Sequence, residues 1–266
     1  MLIVGELINT SRKAVKPAVE ARDAAFIQNL ATSQIEAGAD YLDVNCGNMV
    51  DTELEDMAWL VETIQQVVKA PLCIDSPNPK AIEVGLSLAK YGQPMVNSTS
   101  GEKERYAAML PIIQKYKTKV VALCMDDTGM PDTAADRMKV VDKLVPDLLA
   151  AGIAEDDIYL DPLIKPIGTS DKAGLEALEA IHAIKTKYPK VHGICGLSNI
   201  SFGLPNRAVL NRTFMVQTMT MGMDGYILDP LNKTMMGLVY AANALIGNDK
   251  FCAKYLKAHR KGLYEK

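Results

Sequence analysis

Eight short apolar runs recur along the chain, and longer segments with helical spacing separate them. The runs are Leu2–Ile8, Tyr41–Cys46, Pro71–Asp75, Pro94–Asn97, Lys119–Met125, Asp157–Asp161, Val191–Asn199 and Asp224–Asp229. Between them lie stretches such as Ala24–Gly38, Glu53–Val68 and Gly174–Tyr188, whose apolar residues return at three- and four-residue steps. Gly38 and Gly152 stand where a helix is expected to stop. Continuous apolar strands alternating with helices mean a parallel sheet covered on both faces. Eight such units in 266 residues predict a single-domain α/β protein, a (β/α)8 or TIM barrel, over residues 1–250. Residues 251–266 read as a Lys- and Tyr-rich tail, an extra solvated helix packed on the outside. The runner-up is a doubly wound open sheet. It usually has fewer strands, and often a Gly-rich phosphate loop after strand one, where this chain has Asn9, Thr10, Ser11 and Arg12.

The formal net charge of −3 argues against a nucleic-acid partner, which calls for a basic patch. No apolar stretch approaches the roughly 18 residues of a membrane span, and the N-terminus reads as a first strand, not a signal peptide. The five cysteines are scattered, with no C-x-x-C pair and no zinc spacing with the three histidines. That pattern suggests a reducing cytoplasm. Cys73, Cys124 and Cys195 lie inside apolar runs and read as small buried hydrophobes.

In a barrel of this kind the site forms at the C-terminal ends of the strands. There the sequence offers Glu6 and Asn9, Asp43 and Asn45, Asp75, Asn97, Asp161, and Ser198 with Asn199. Asp126 and Asp127 follow the fifth strand, and Asp229 and Asn232 the eighth. Any one of them is explained by capping or turn formation. As a set they are harder to explain, because Glu6, Asp43, Asp75 and Asp161 are carboxylates at the ends of apolar strands, where charge needs a partner. A Ser-His-Asp device is not expected: His182 lies on a helix face, His259 in the tail, and His192 at the wrong end of strand seven. A carboxylate metal site is conceivable, but amides are as numerous as acids. The better match is a flat heterocycle with an edge of N–H donors, such as a reduced pterin or a purine. A carboxylate accepts two parallel N–H bonds, and an asparagine both donates and accepts.

The segments GELIN, DVNCG, CIDS, VNSTSGEKER, DPLI and GLSNISFGLPNRAVLNRTF, in this order and spacing, resemble the pterin-binding methyltransferases. The likeness is to methyltetrahydrofolate:corrinoid protein methyltransferases and to the folate domain of cobalamin-dependent methionine synthase, over residues 1 to about 250. It implies tetrahydrofolate or 5-methyltetrahydrofolate as substrate, a corrinoid carried by a separate protein partner, and a homodimer. It implies that Asp75, Asn97 and Asp161 bond the pterin, with Asp161 at the 2-amino and N3–H donors. Asn199 would meet N5, the methyl-bearing atom. Gly196 and Ser198 would line the ring, and Arg207 would lie toward the aminobenzoate. Glu6, Asp43 and Asn45 match family positions in supporting roles, and Phe202 either stacks on the aminobenzoate or packs. Dihydropteroate synthase shares the barrel, but its loops after strands one and seven differ from NTSRKAVK and SNISFG here. A folate-binding module without chemistry would need the pterin contacts but not Asn199.

Overall fold

The computed structural model describes residues 1–264. Its strands are β1 (Leu2–Asn9), β2 (Tyr41–Asn45), β3 (Leu72–Asp75), β4 (Met95–Ser100), β5 (Lys119–Leu123), β6 (Ile158–Asp161), β7 (His192–Gly196) and β8 (Gly225–Leu228). They pair in parallel and in chain order, and β8 closes on β1, so the sheet is a closed barrel. The helices are α1 (Val15–Glu20), α2 (Ala24–Glu36), α3 (Glu53–Gln65), α4 (Pro79–Leu88), α5 (Lys103–Tyr116), α6 (Ala134–Ala150), α7 (Ala173–Lys187), α8 (Arg207–Thr220), α9 (Lys233–Leu245) and α10 (Ala253–Arg260). The predicted (β/α)8 barrel is therefore the fold.

Strand alternation decides what fills the barrel. Val4, Tyr41, Cys73, Met95, Val121, Tyr159 and Ile194 point inward and form one apolar cluster. Successive side chains on a strand face opposite ways, so the next inward residue is two further on. Two residues beyond each member of that cluster stand Glu6, Asp43, Asp75, Asn97, Leu123, Asp161 and Gly196. One step of the strand repeat thus converts an apolar layer into a polar one at the mouth. The outward residues, among them Leu42, Ile74, Val96, Val120 and Leu160, pack under the helices in the main core.

Two boundaries differ from the sequence expectation. β7 stops at Gly196, and Leu197–Ser201 is a tight 3-10 turn, so Ser198 and Asn199 sit on a turn and not at a strand end. The apolar residues of that stretch, Leu197 and Ile200, are both buried. Their three-residue spacing is that of a 3-10 turn and not the two of a strand. The tail contributes a helix only over Ala253–Arg260. It starts where the Asp249 carboxylate accepts the backbone N–H groups of Lys254 and Tyr255 at 2.9 and 2.8 Å. Tyr264 then packs on Tyr255 and Tyr240, with ring centroids 5.3 and 6.0 Å away, and ties the tail to α9. Glu265 and Lys266 of the predicted tail lie outside the described residues. Among the described residues no helix is long and apolar enough to cross a membrane. Cys73, Cys124 and Cys195 are buried as expected.

Candidate active site

The polar layer is only partly satisfied from within. Asp75 accepts a bond from Asn45 Nδ2 at 2.7 Å, and Asn45 is itself held by the Gly47 N–H at 3.1 Å. Burial pushes the Asp75 carboxyl up to about 6, against that bond and the nearby Arg105 charge. Asp161 accepts the Leu163 N–H at Oδ1, 2.8 Å away, and burial pushes it to about 6 as well. Asp43 is deeper. Burial first, and the neighbouring Asp75 second, raise it well above the carboxylate range, and its Oδ1 has no hydrogen-bond partner. Glu6 is raised by burial although Arg12 pairs with it at 2.7 Å. Isolated buried charge is costly, so a layer of this kind is poised to take up hydrogen-bond donors.

Two openings flank the mouth. One, of about 370 Å³, is lined by Asp75, Ser76, Asn97, Ser98, Arg105 and Leu123. The other, of about 200 Å³, lies among Glu6, Arg12, Ser198, Asn211, Asp229 and Asn232. At Gly196 an added Cβ would meet no atom within 4 Å. Its φ of −82° needs no glycine either, so neither packing nor backbone within the chain demands one, and the missing side chain leaves the space beside Gly196 open.

The turn after β7 is stapled by Arg207. Its Nε donates to Ser201 Oγ at 3.0 Å, Ser201 donates to Asn211 Oδ1 at 2.7 Å, and the guanidinium also donates to the Ser198 carbonyl. Ser198 and Asn199 are exposed on that turn. Phe202 is 65% exposed, with the Arg207 guanidinium 6.0 Å from its ring. The ring is therefore not part of the core of this chain.

The family described as pterin binding enzyme matches residues 5–229. The chain belongs to the pterin-binding enzyme family. A methylcorrinoid:tetrahydrofolate methyltransferase of Eubacterium limosum is 38% identical over 264 residues, covering 98% of this chain and 97% of that protein. Methionine synthase of Mycobacterium tuberculosis is 30% identical over 242 residues, which are 86% of this chain but 20% of that protein. A dihydropteroate synthase from Clostridium difficile superposes with a TM-score of 0.73 at 19% identity, over 92% of this chain and 96% of that one. That likeness is one of fold alone.

Within this pterin-binding barrel, several strand-end polar residues turn out to be local caps. Asn9 accepts from Ser11 N at 2.9 Å, Asp126 from Thr128 N at 2.9 Å, Asp229 from Leu231 N at 2.8 Å and Asn232 from Met235 N at 3.0 Å. His192 lies at the opposite end of the barrel, bonded to Asp224 and Asp156. Two arginines escaped the sequence reading. Arg105, on α5, donates to the carbonyls of Ser98 at 2.9 Å and Ser76 at 3.0 Å, and so braces the loops beside Asn97 and Asp75. Arg137, on α6, is fully buried against the loop after Asp161. A signal for it existed: it falls in phase with Val140, Val141, Leu144 and Leu148 on the apolar stripe of α6.

Proposed function

We propose that this protein transfers a methyl group between the cobalt of a corrinoid, carried by a separate protein, and N5 of tetrahydrofolate. The end-to-end likeness to the Eubacterium limosum methyltransferase carries the reading, and the half-satisfied polar layer beside Gly196 supports it. Asp75, Asn97 and Asp161 take the N–H edge of the pterin, and the ring lies over Gly196. Asp161 takes the 2-amino and N3–H donors as parallel bonds, one on each oxygen, with Oδ1 keeping a second lone pair beside the Leu163 N–H. Asn45 orients Asp75, while Glu6 and Asp43 support the layer from below. Ser198 lines the ring, and Arg207 holds the turn that presents it.

In the folate-methylating direction the N5 lone pair attacks the methyl carbon. The cobalt–carbon bond breaks with both electrons left on cobalt, and the N5 proton passes to water. No side chain bonds to the methyl, so no protein nucleophile is required. Asn199 orients N5–H through its side-chain carbonyl and, in reverse, stabilises the protonated N5 as the methyl departs, more in the transition state than in the ground state. Losing such a contact costs about 10²–10³ in rate, which is the effect expected of Asn199→Ala. Wild-type turnover in that variant would remove the role.

The protein acts as a homodimer in an anaerobic cytoplasm on this reading, and sedimentation at micromolar concentration tests the dimer. The reaction itself is tested anaerobically with 5-methyltetrahydrofolate and Co(I) cobalamin, following the spectrum. Methylated cobalamin formed over many turnovers establishes methyl transfer. Tight folate binding without any transfer, even with a native corrinoid protein supplied, would leave a binding module instead.

A further inference from the structure

Arg137 presents a physical puzzle. No part of it reaches solvent. No carboxylate of its acidic neighbours bonds to it: Glu176 accepts the Ala134 N–H, and Asp132 and Asp136 pair with Lys165 and Lys139 instead. Its donors go to backbone carbonyls: Nε to Pro162, Nη1 to Asp132 and Thr133 at 3.1 and 3.0 Å, and Nη2 to Leu163 at 3.1 Å. Burying a guanidinium without a counter-ion is unfavourable, and a leucine on this stripe would pack without that cost.

Two of the four carbonyls it holds are the two that follow Asp161. Leu163 there has φ +58°, a left-handed conformation uncommon for a residue with a side chain. That turn aims the Leu163 N–H at Asp161 Oδ1, 2.8 Å away. Four residues on, the Ile167 N–H donates to the Ile200 carbonyl at 3.0 Å, so the same loop buttresses the turn that carries Ser198 and Asn199. Lys165 pairs with Asp132 at 2.5 Å and ties this loop to the segment ahead of α6, while Glu176 of α7 accepts the Ala134 N–H at 2.7 Å and ties α7 to the start of α6.

We propose that Arg137 is a positioning residue for the folate site: by clamping Pro162 and Leu163 from behind, it sets the direction of the Asp161 carboxylate and the seat of the Asn199 turn. The proposal rests on the folate reading above. It explains why the guanidinium fork is kept where a hydrophobe would fit. The planar fork reaches several carbonyls at once, which an ammonium point charge cannot copy. The groups that face Asp161 are Arg137, whose charge draws the carboxyl down against burial, and the thiols of Cys124 and Cys195, which burial raises and leaves neutral.

The experiment compares wild type, Arg137→Lys and Arg137→Met. It uses equilibrium dialysis against 5-methyltetrahydrofolate from pH 5.5 to 8.5, with thermal melts alongside. Arg137→Lys keeps the charge and loses the fork. Its affinity should fall about tenfold across the range, with the pH midpoint of binding unchanged. Arg137→Met loses both, so its affinity should fall further and the midpoint should move to higher pH. Should the methionine variant fail to fold, the lysine variant alone carries the test. Wild-type affinity in Arg137→Lys, or an Arg137→Met loss equal at every pH, would overturn the proposal. A wild type that binds no folate would sink the functional reading and this proposal with it. A wild type that binds, beside variants of unchanged affinity, sinks the proposal alone.

Discussion

At the N-terminal end of the barrel, His192 bonds Asp224 through Nδ1 at 2.8 Å and Asp156 through Nε2 at 2.9 Å. Asp224 also accepts the Gly193 N–H at 2.8 Å and Lys185 Nζ at 3.2 Å. Despite its burial, these partners hold its carboxyl below the usual range. At the C-terminal end the inward carboxylates have one protein donor each at Asp75 and Asp161, and Asp43 has an oxygen with none. There burial wins, and all three are raised. The same residue type is a fastening at one end and an unmet demand at the other. The difference marks which end is built to receive a ligand.

The largest effect that tests this contrast is on affinity at the mouth. Asp161→Asn keeps an oxygen for the Leu163 N–H but removes the charge. The affinity for 5-methyltetrahydrofolate should fall about 100-fold, as expected when charge-assisted bonds are lost. The apo protein should melt no lower than wild type, since a raised carboxylate has been relieved. If the variant melts well below wild type, the mouth is a fastening after all and the contrast fails. Asp224→Asn should do the reverse. Folate affinity stays, while stability falls by about 2 kcal/mol, lowering Tm by roughly 4–8 °C for a domain of this size.

A smaller effect separates the two ends by pH. His192 is raised, chiefly by its bond to Asp224 and against the desolvation of burial. A raised histidine contributes stability that is complete below its unfolded value near 6.5 and is lost as pH climbs through the folded value. The stability gap between wild type and His192→Gln should therefore shrink above about pH 6.5. Asp161 is raised to about 6. Its folded form binds a proton more tightly, so it penalises the apo protein increasingly from about pH 4 to 6 and fully above that. The gap between Asp161→Asn and wild type should widen over that window and then level off. Chemical denaturation at half-unit pH steps resolves the two windows, and a single shared window would contradict the assignment.

Legibility in the sequence followed the strand repeat. Glu6, Asp43, Asp75, Asn97 and Asp161 were readable because a period of two, counted from an apolar inward set, puts them in one layer at the mouth. Asn9, Asp126, Asp229 and Asn232 carry the same residue types and bond nearby backbone N–H groups. Asp161 makes such a bond too, and what sets it apart is its place in the buried inward layer. Arg137 could be placed on the buried stripe of α6. The tasks of Arg105 and Arg137 could not be read from local pattern, because each reaches a loop carbonyl, at Pro77 and Pro162, that is 28 and 25 residues away in sequence. Leu197, Ser198 and Asn199 read as strand, although they open the 3-10 turn, because Leu197 continues the apolar run of β7.

The smallest predicted effect concerns that turn. Phe202 is mostly exposed, and its one described aromatic contact is the Arg207 guanidinium at 6.0 Å. Little of the fold rests on it, so Phe202→Ala should leave Tm within about 2 °C, as for a surface change of about 0.5 kcal/mol. If the ring stacks on the aminobenzoate, its loss at an exposed site costs about 0.5–1 kcal/mol, a two- to fivefold weaker folate affinity. The decisive comparison is with a pterin that lacks the aminobenzoate. Its affinity should be the same in wild type and Phe202→Ala if, as proposed, the pterin end is held by the carboxylate layer and not by the turn. An equal loss for both ligands would mean that Phe202 acts on the pterin pocket through the Ser198–Ser201 staple. The turn would then belong to the fastened part of the molecule rather than to the receptive one.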